Sequence, residues 1–276
     1  MIQKLYREYS SRIYRNYRHI RGTWRAKHIL QKLLVKGLEE PEKDPESIFS
    51  EDWDTLLILD ACRHDLYEEV NGPTEKRTSL ASKTPGFISA TFSERDCSDT
   101  VLVTGNPHYS RKHFKELTGR EVEEVFHEVF HTYQDDWDYE ENTVMPETLI
   151  RDAETARKLF PDKKIIIHFM QPHYPFVNSE LEKGGIRPDL DHEKEDFSIW
   201  QKAEMGDYSK EELWKTYKEN LEFIMAEIEE YIEGLEGKTV ITSDHGNLVG
   251  ENGLYGHPGL KKPVKQLREV PWDVRE

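Results

Sequence analysis

The stretch Lys238–Gly246, KTVITSDHG, joins a β-rich run to an acidic residue and a histidine. Residues 239–242 are apolar or β-branched, which predicts a buried strand that ends just before the polar pair. Ligands of open α/β sheets bind beyond the carboxyl ends of strands, and Asp244 and His245 offer donors that zinc or manganese accepts. Gly246 lets the chain turn away sharply. For this dipeptide alone, an aspartate that caps a turn beside a packed histidine is an equally good interpretation.

A second apolar run ends in the same way. The segment Trp53–Asp60, WDTLLILD, predicts a central parallel strand with Asp60 at its carboxyl end. A carboxylate in that place costs free energy unless it is paired or binds a metal. Arg63 fits equally well as an ion-pair partner of Asp60 and as a group that binds an oxyanion. Two strands that both end in an acidic side chain favour a cation site.

The segment Thr78–Phe92 supplies a hydroxyl group. Thr84 followed by Pro85 predicts the N-cap and first residue of a helix. A hydroxyl there lies in the positive field of exposed backbone N–H groups, which favours an alkoxide and a bound phosphate or sulfate. An ordinary capping threonine is the alternative interpretation, and Ser82 is a weaker candidate for the same role.

Three more histidines lie in or after predicted strands. His168 lies inside the strand predicted over Lys163–Met170, where we expect a core residue or one that supports a ligand. His173 follows that strand in a proline-bounded loop, and His257 lies in a second loop, YGHP. A functional and a structural role for His173 are equally good interpretations.

Strands and helices alternate along the chain, which predicts a mostly parallel sheet covered on both faces. The sequence indicates further strands at 99–106 and 267–274, helices at 145–160 and 209–235, a polar excursion at 178–206, and helix or edge strand at 121–132.

The length of 276 residues fits one large α/β domain with an appendage. The formal net charge of −16 argues against nonspecific binding to nucleic acid, whose phosphates would repel so acidic a domain. Cys62 and Cys97 cannot form a disulfide framework, so a reducing compartment is the default. No stretch has the length and apolarity of a membrane span, and the sequence therefore predicts a cytoplasmic protein, with or without membrane association.

Residues 1–36 carry ten basic residues and one acidic residue around an apolar stripe. This pattern predicts a basic amphipathic helical arm over 1–38, a charged linker at Glu39–Pro45 and a catalytic domain over 45–276. The arm is interpreted as lying on the acidic body or on a second subunit of a homo-oligomer, or alternatively as a peripheral helix on anionic lipid.

Five segments together resemble the alkaline phosphatase/sulfatase superfamily, in the family's order over residues 53–273. They are LLILDACR with Asp60, SKTPGF with Thr84, HFMQPHYPF with His173, TSDHG with Asp244 and His245, and YGHP with His257. The resemblance implies a three-layer α/β/α sandwich with a mostly parallel central sheet. It also implies enzymes that hydrolyse or transfer phosphate, sulfate or phosphonate esters through a covalent intermediate.

The resemblance also implies roles for individual residues. Asp60, Asp244 and His245 match metal ligands, and Thr84 matches the residue that is both nucleophile and ligand. His173 and Arg63 match residues that bind the transferring group. His257 and His168 are assigned to a second metal or to the leaving group.

Two departures from the family refine this prediction. The Cys-x-Pro-Ser-Arg signature of formylglycine sulfatases is absent from the sequence, which favours a threonine route, and no Asp-x-x-x-His pair completes a second metal site. The sequence therefore predicts a hydrolase or transferase that uses one or two divalent ions (Zn, Mn or Ca) on small-molecule or polymer-linked phosphate or sulfate esters. The alternative is a non-catalytic protein of this fold that binds a membrane or a partner through residues 1–36.

Overall fold

A computed structural model describes residues 2–15, 29–31, 33–181, 184–185, 187–188, 198–260 and 262–276. In this part of the chain the strands are β1 Thr55–Asp60, β2 Glu75–Thr78, β3 Cys97–Thr104, β4 Phe126–Phe130, β5 Lys164–Pro172, β6 Thr239–Ser243, β7 Leu248–Glu251, β8 Leu254–Gly256 and β9 Glu269–Arg275. The α-helices are Ile2–Arg15, His64–Asn71, Thr84–Phe92, Arg111–Thr118, Val122–Val125, Thr132–Asp135, Pro146–Leu159, Ile199–Met205, Lys210–Ile232 and Lys265–Arg268.

One seven-stranded sheet organises the fold, in the order β2-β9-β6-β1-β5-β3-β4. The strands from β6 to β4 in that order run parallel, whereas β9 pairs antiparallel with both β6 and β2. The central strand β1 is buried along its whole length, as its continuous apolar run predicts. A separate two-stranded hairpin joins β7 and β8.

Alternate residues of the central strands face two different cores. Leu57 and Leu59 pack on the face covered by helices Pro146–Leu159 and Lys210–Ile232. Leu56 and Ile58 pack on the opposite face, where helix Thr84–Phe92 contributes Phe87, Ile88 and Phe92. The period of two along a strand therefore produces three layers, and the predicted α/β/α sandwich with a mostly parallel sheet is confirmed.

Several local predictions are refined. The segment 121–132 divides into the helical turn Val122–Val125 and the strand β4. The edge strand β2 was not predicted because its sequence, EKRT, is polar and only four residues long. The last strand, β9, lies next to the edge as expected, and Pro271 within it pairs with Lys76 of β2.

The N-terminal arm is described in part. Helix Ile2–Arg15 contacts helix Ile199–Met205, and the buried Tyr6 hydroxyl donates to Glu204 Oε1 at 2.7 Å. The predicted helix between 16 and 28, and most of the polar excursion between 182 and 197, lie outside the described residues. Within the described residues, no helix is both long enough and apolar enough to span a bilayer.

Candidate active site

Two neighbouring parallel strands bring the predicted acidic residues together. Leu59 of β1 is in register with Ser243 of β6, so Asp60 and Asp244 follow at the same height on the carboxyl edge of the sheet. On its other side, Asp60 is in register with Pro172 of β5, directly before His173. Three strand ends therefore converge at one point, as expected for a ligand site in an α/β sheet.

Each of the two carboxylates has one satisfied oxygen and one that lacks a partner. Asp60 Oδ2 accepts from Asn106 Nδ2 at 2.9 Å, and Asp244 Oδ1 accepts from the backbone N–H groups of Ala61 and His245 at 3.0 and 2.9 Å. Asp60 Oδ1 and Asp244 Oδ2 are buried without a hydrogen-bond partner among the described residues. Buried acceptors without a donor are costly, which points to a ligand at this position.

The electrostatics of the pair agree with that conclusion. Burial, and then the charge of Asp244, raise the pKa of Asp60 well above its usual value. For Asp244 burial acts in the same direction, but the charges of His245 and His168 and the Ala61 N–H outweigh it and lower its pKa. Two buried carboxylates side by side therefore resist double ionisation unless a positive charge joins them.

His245 directs one ring nitrogen toward these oxygens. Its Nδ1 lies 2.9 Å from the carbonyl of Gly246, which assigns the ring proton to Nδ1 and leaves a lone pair on Nε2. His245 Nε2 lies 3.6 Å from Asp60 Oδ1 and 3.5 Å from Asp244 Oδ2. A backbone carbonyl that holds the far nitrogen of an imidazole is the usual support of a metal-binding histidine.

Thr84 completes the group. Its Oγ1 lies 3.3 Å from His245 Nε2, and the residue is 5% exposed. The structure corrects one detail of the prediction: the N-cap of helix Thr84–Phe92 is Lys83, and Thr84 is the first helical residue. Its hydroxyl faces His245 instead of capping the helix, while it stays at the positive end of the helix dipole.

The donor set suits a divalent cation. Potential ligand atoms of Asp60, Asp244 and His245 all lie within 4.8 Å of one another, and all three residues are buried. Two carboxylates, one imidazole and one hydroxyl are donors that zinc and manganese accept. The roles of these four residues as metal ligands, and of Thr84 as nucleophile, stay predictions that this geometry supports.

A pair of histidines lies beside the group. His173 Nε2 lies 3.0 Å from His257 Nε2, and the ring of His245 lies 6.5 Å from that of His173 and 5.0 Å from that of His257. His173 Nδ1 contacts the backbone oxygen of Tyr174. Burial lowers the pKa of His173 to about 4 and that of His257 well below its usual value, so both rings are neutral near pH 7.

One aromatic side chain holds the two histidine loops. The ring of Trp200 lies 6.4 Å from Tyr174 and 6.1 Å from Phe176. It also lies so near Gly256 that an added Cβ would stand 3.0 Å from the indole. Trp200 therefore packs against the residues that follow His173 and against the residue that precedes His257, and the sequence analysis did not single it out.

His168 is fully buried within β5, as its place in the sequence predicts. Its Nδ1 lies 3.1 Å from the Tyr109 hydroxyl, and its Nε2 lies 3.9 Å from Asp244 Oδ2, in a fully buried environment. Burial lowers its pKa to about 4. The structure therefore places His168 behind Asp244 and apart from the His173–His257 pair, because it precedes the end of β5 and faces the core. Its assignment to a second metal or a leaving group stays a prediction, while its Nε2, 3.9 Å from Asp244 Oδ2, suits the expected core residue that supports a ligand.

Arg63 is also committed elsewhere. Its Nε and Nη2 donate to the two oxygens of Asp65 at 2.8 and 2.6 Å, and its Nη1 donates to Glu251 Oε1 at 2.7 Å. Of the two interpretations of Arg63, the ion pair with Asp60 is not formed: among the described residues, the carboxylates that pair with Arg63 are those of Asp65 and Glu251. The predicted contact of Arg63 with an oxyanion has no support from this arrangement.

The sequence analysis missed Asn106. Its Nδ2 donates to Asp60 Oδ2. Its Oδ1 accepts from the backbone N–H of His108 and also lies 3.0 Å from the ring Nδ1 of His108. Asn106 lies two residues after the end of β3, just as Asp60 is the last residue of β1 and Asp244 directly follows β6. The same strand-end rule, applied to the segment 99–106, would have found it.

Comparison with solved structures places the fold. The integral membrane protein lipooligosaccharide phosphoethanolamine transferase A from Neisseria meningitidis superposes with a TM-score of 0.55 at 12% identity, over 98% of this chain and 58% of that chain. Its soluble domain gives a TM-score of 0.52 at 14% identity, over 79% and 75% of the two chains. The periplasmic domain of a phosphoethanolamine transferase from Campylobacter jejuni gives 0.47 at 14% identity, over 80% and 78%. This chain thus spans 58% of the length of the first of these transferase chains.

At these identities the likeness concerns the fold. The chain shares its α/β/α fold with that transferase, which agrees with the fold that the sequence resemblance implied. No protein-family model and no curated protein matches the sequence.

The predicted cytoplasmic location is wrong. The similar structure with a TM-score of 0.55 is an integral membrane protein, so the fold does not assign this chain to the cytoplasm. The prediction rested on the lack of a disulfide framework and of a stretch with the length and apolarity of a membrane span. Cys62 and Cys97 are both free and buried, and buried thiols of this kind are compatible with either side of a membrane.

Proposed function

We propose that this chain transfers or hydrolyses phosphate esters through Thr84, with Asp60, Asp244, His245 and Thr84 as the ligands of a divalent cation. The observation that carries the proposal is the 3.3 Å contact between Thr84 Oγ1 and His245 Nε2, beside two buried carboxylate oxygens without a hydrogen-bond partner. A capping threonine would stand at the N-cap, whereas here Lys83 is the N-cap and Thr84 is the first helical residue.

A bound Zn, Mn or Ca ion would lower the pKa of a nearby hydroxyl and offset charge on a phosphoryl oxygen. The chain itself supplies the orientation of the reacting groups. Thr84 is held at the start of a nine-residue helix, where the exposed N–H groups favour negative charge on its oxygen. The Gly246 carbonyl fixes the ring of His245, so that Nε2 stays directed at Thr84.

The proposed reaction has two displacements at phosphorus. Thr84 Oγ1 forms a bond to phosphorus while the bond to the ester's leaving oxygen breaks, and the proton lost by Thr84 is balanced by the proton gained by the departing alcohol. Water or an acceptor alcohol then forms a bond to phosphorus, and Thr84 regains its proton as its own bond breaks. We extend the proposal to His173 and His257, whose rings lie 6.5 and 5.0 Å from that of His245, as the groups that contact the leaving or entering oxygen.

The choice of ester follows from the comparisons. The transferase with a TM-score of 0.55 is named for lipooligosaccharide and phosphoethanolamine, which favours a phosphate ester, small or polymer-linked, over a sulfate ester. Because this chain spans only part of that enzyme, we extend the reaction class alone to it. Water and an alcohol both remain acceptors in the proposal, and product analysis separates them.

Thr84→Ala and Thr84→Ser test the nucleophile on an aryl phosphomonoester, an aryl phosphodiester and an aryl sulfate, each with Zn, Mn or Ca. We expect the alanine variant to lose at least about 10³-fold in kcat/KM and the serine variant to keep part of the activity. Mass spectrometry of quenched wild type should detect a phosphorylated peptide that contains Thr84. Ser82→Ala, in the same segment, is the matched control. Full activity of Thr84→Ala would refute the proposal.

The arm supports a second, compatible function. We propose that residues 1–38 form an arm attached to the catalytic domain 45–276, because Tyr6 is buried against Glu204. Ile2 and Leu5 on the same helix remain 42% and 39% exposed in a strongly basic segment, which favours contact with anionic lipid. Flotation with anionic and neutral vesicles tests this: equal binding to both, or to neither, contradicts it.

A further inference from the structure

Lys83 is a basic residue next to the proposed nucleophile in the chain. It is the N-cap residue of helix Thr84–Phe92 and precedes Thr84 in the chain. Its Nζ lies 3.9 Å from the position of a Cβ on Gly259, which places it against the loop that holds His257.

The charge of Lys83 is not compensated within the described residues. The side chain is half-buried, and no described carboxylate forms an ion pair with it. By contrast, Lys262, from the same loop region, donates to the Leu38 carbonyl at 2.7 Å and lies 3.6 Å from Glu40. Partial burial of an unpaired cation costs free energy that an anionic ligand would offset.

The charges of the site leave a place for such a group. Two carboxylates and one divalent cation neutralise one another, so the charge of a phosphoryl group would still need a partner. Arg63, which the sequence predicted for this role, is held by Asp65 and Glu251. Lys83 is a cation of the described site region that remains available to a substrate.

We propose that Lys83 Nζ binds a non-bridging oxygen of the phosphoryl group that Thr84 receives. The inference rests on the proposed function and adds a binding residue to it. A lysine binds such an oxygen as a point charge, without the geometric demand of a guanidinium fork. The contact should therefore count for more with a doubly charged monoester than with a singly charged diester.

The test uses the full chain with metal and two substrates that share one aryl leaving group, a phosphomonoester and an alkyl phosphodiester. Lys83→Met keeps the aliphatic stem, Lys83→Arg keeps the charge, and Lys262→Met removes an equal charge from a paired site. We expect Lys83→Met to lower kcat/KM by about 10- to 100-fold, with the larger loss for the monoester. Lys83→Arg should restore most of it, and Lys262→Met should stay within about twofold of wild type.

A binding measurement separates this inference from the proposed function. Inorganic phosphate is titrated calorimetrically into metal-loaded Thr84→Ala, with and without Lys83→Met, and we expect the added substitution to weaken binding by a similar factor. If Thr84→Ala kept full activity, the nucleophile would be wrong while the titration still reported on Lys83. Unchanged phosphate affinity, a lack of phosphate binding to either protein, or equal losses in Lys83→Met and Lys83→Arg would overturn the inference.

Discussion

His173 Nε2 and His257 Nε2 lie 3.0 Å apart, although 84 residues separate them in the chain. His173 places its Nδ1 against the Tyr174 carbonyl, so its Nε2 carries a lone pair that His257 Nε2–H can meet. The two rings come from loops after β5 and β8, and they meet beside His245. The pair is therefore one unit, in which each ring fixes the position of the other.

We predict that His173→Ala and His257→Ala each lower kcat/KM for an aryl phosphate by about 10²-fold. The double variant should lose little more than either single variant, because residues that act as a unit are strongly non-additive. Elemental analysis should show that both variants still bind metal, because the proposed ligands, which include Asp60 and Asp244, are unchanged. His113→Ala, whose ring contacts Ser110 at the start of its own helix Arg111–Thr118, is the control; multiplied losses in the double variant would contradict the paired role.

The free energy of the metal-free site leads to a second prediction. Asp60→Asn keeps the shape of the side chain and removes a charge that burial and Asp244 both oppose. In chelator, we therefore expect the variant to be at least as stable as wild type. At a metal concentration of 100 Kd, wild type should gain about 2.7 kcal/mol, and Asp60→Asn should gain almost none.

Thermal unfolding with and without zinc or manganese measures this difference. Asp52→Asn is a suitable control, because Asp52 is fully exposed and, among the described residues, pairs with Lys164 at 3.2 Å. An Asp60→Asn variant that kept the whole metal-dependent rise in Tm would show that the cation, if bound, lies elsewhere.

The strand ends could be predicted because two independent patterns coincide in the sequence. The apolar run of β1 and the β-branched run of β6 each specify a buried strand, and each run stops at a polar residue. Parallel pairing then fixes the rest: once Leu59 is opposite Ser243, Asp60 and Asp244 must share one edge. Helix Lys210–Ile232 could be located equally well, because its apolar stripe is long and Ser209 forms a capping box with Glu212.

Side-chain competition could not be predicted. The sequence contains no signal that Glu251, 188 residues after Arg63, would take one of its donors, or that Asp65 would take the others. Likewise, hydrophobic pattern does not encode the direction of β9, which depends on where the chain returns to the sheet. Asn106 and Trp200 act through contacts between distant segments, and only the assembled fold reveals such contacts.

Asn106 provides a third prediction. Its Nδ2 donates to Asp60 Oδ2, whereas Asp60 Oδ1 has no hydrogen-bond partner among the described residues. Asn106 therefore sets the rotation of the Asp60 carboxylate. We expect Asn106→Ala to weaken metal binding by about 10- to 100-fold, as for other residues that orient a ligand. Competition with a fluorescent chelator measures the affinity, Asn71→Ala serves as the control, and an unchanged affinity would remove Asn106 from the support of Asp60.

The fourth prediction concerns the ion pair of Arg63 with Asp65 and the way its contribution to stability depends on pH. For Asp65, burial acts to raise the pKa, but the two hydrogen bonds and the charge of Arg63 outweigh it and lower the pKa. A carboxylate whose folded pKa is depressed stabilises the protein above its unfolded pKa, and this contribution is lost as the pH falls through the folded value. Since the Asp65 side chain is 58% exposed, solvent screening limits its worth to about 1 kcal/mol.

Asp65→Asn should therefore lower the free energy of unfolding by about 1 kcal/mol at pH 7, and the gap to wild type should shrink as the pH falls below about 4. Urea titrations of both proteins in chelator, at pH 7 and at pH 3, measure the gap without a contribution from metal. The buried guanidinium of Arg63 keeps Glu251 in the variant, so the loss should stay moderate. A gap of the same size at both pH values would mean that Asp65 acts through packing, since only the ionised carboxylate can pair with Arg63.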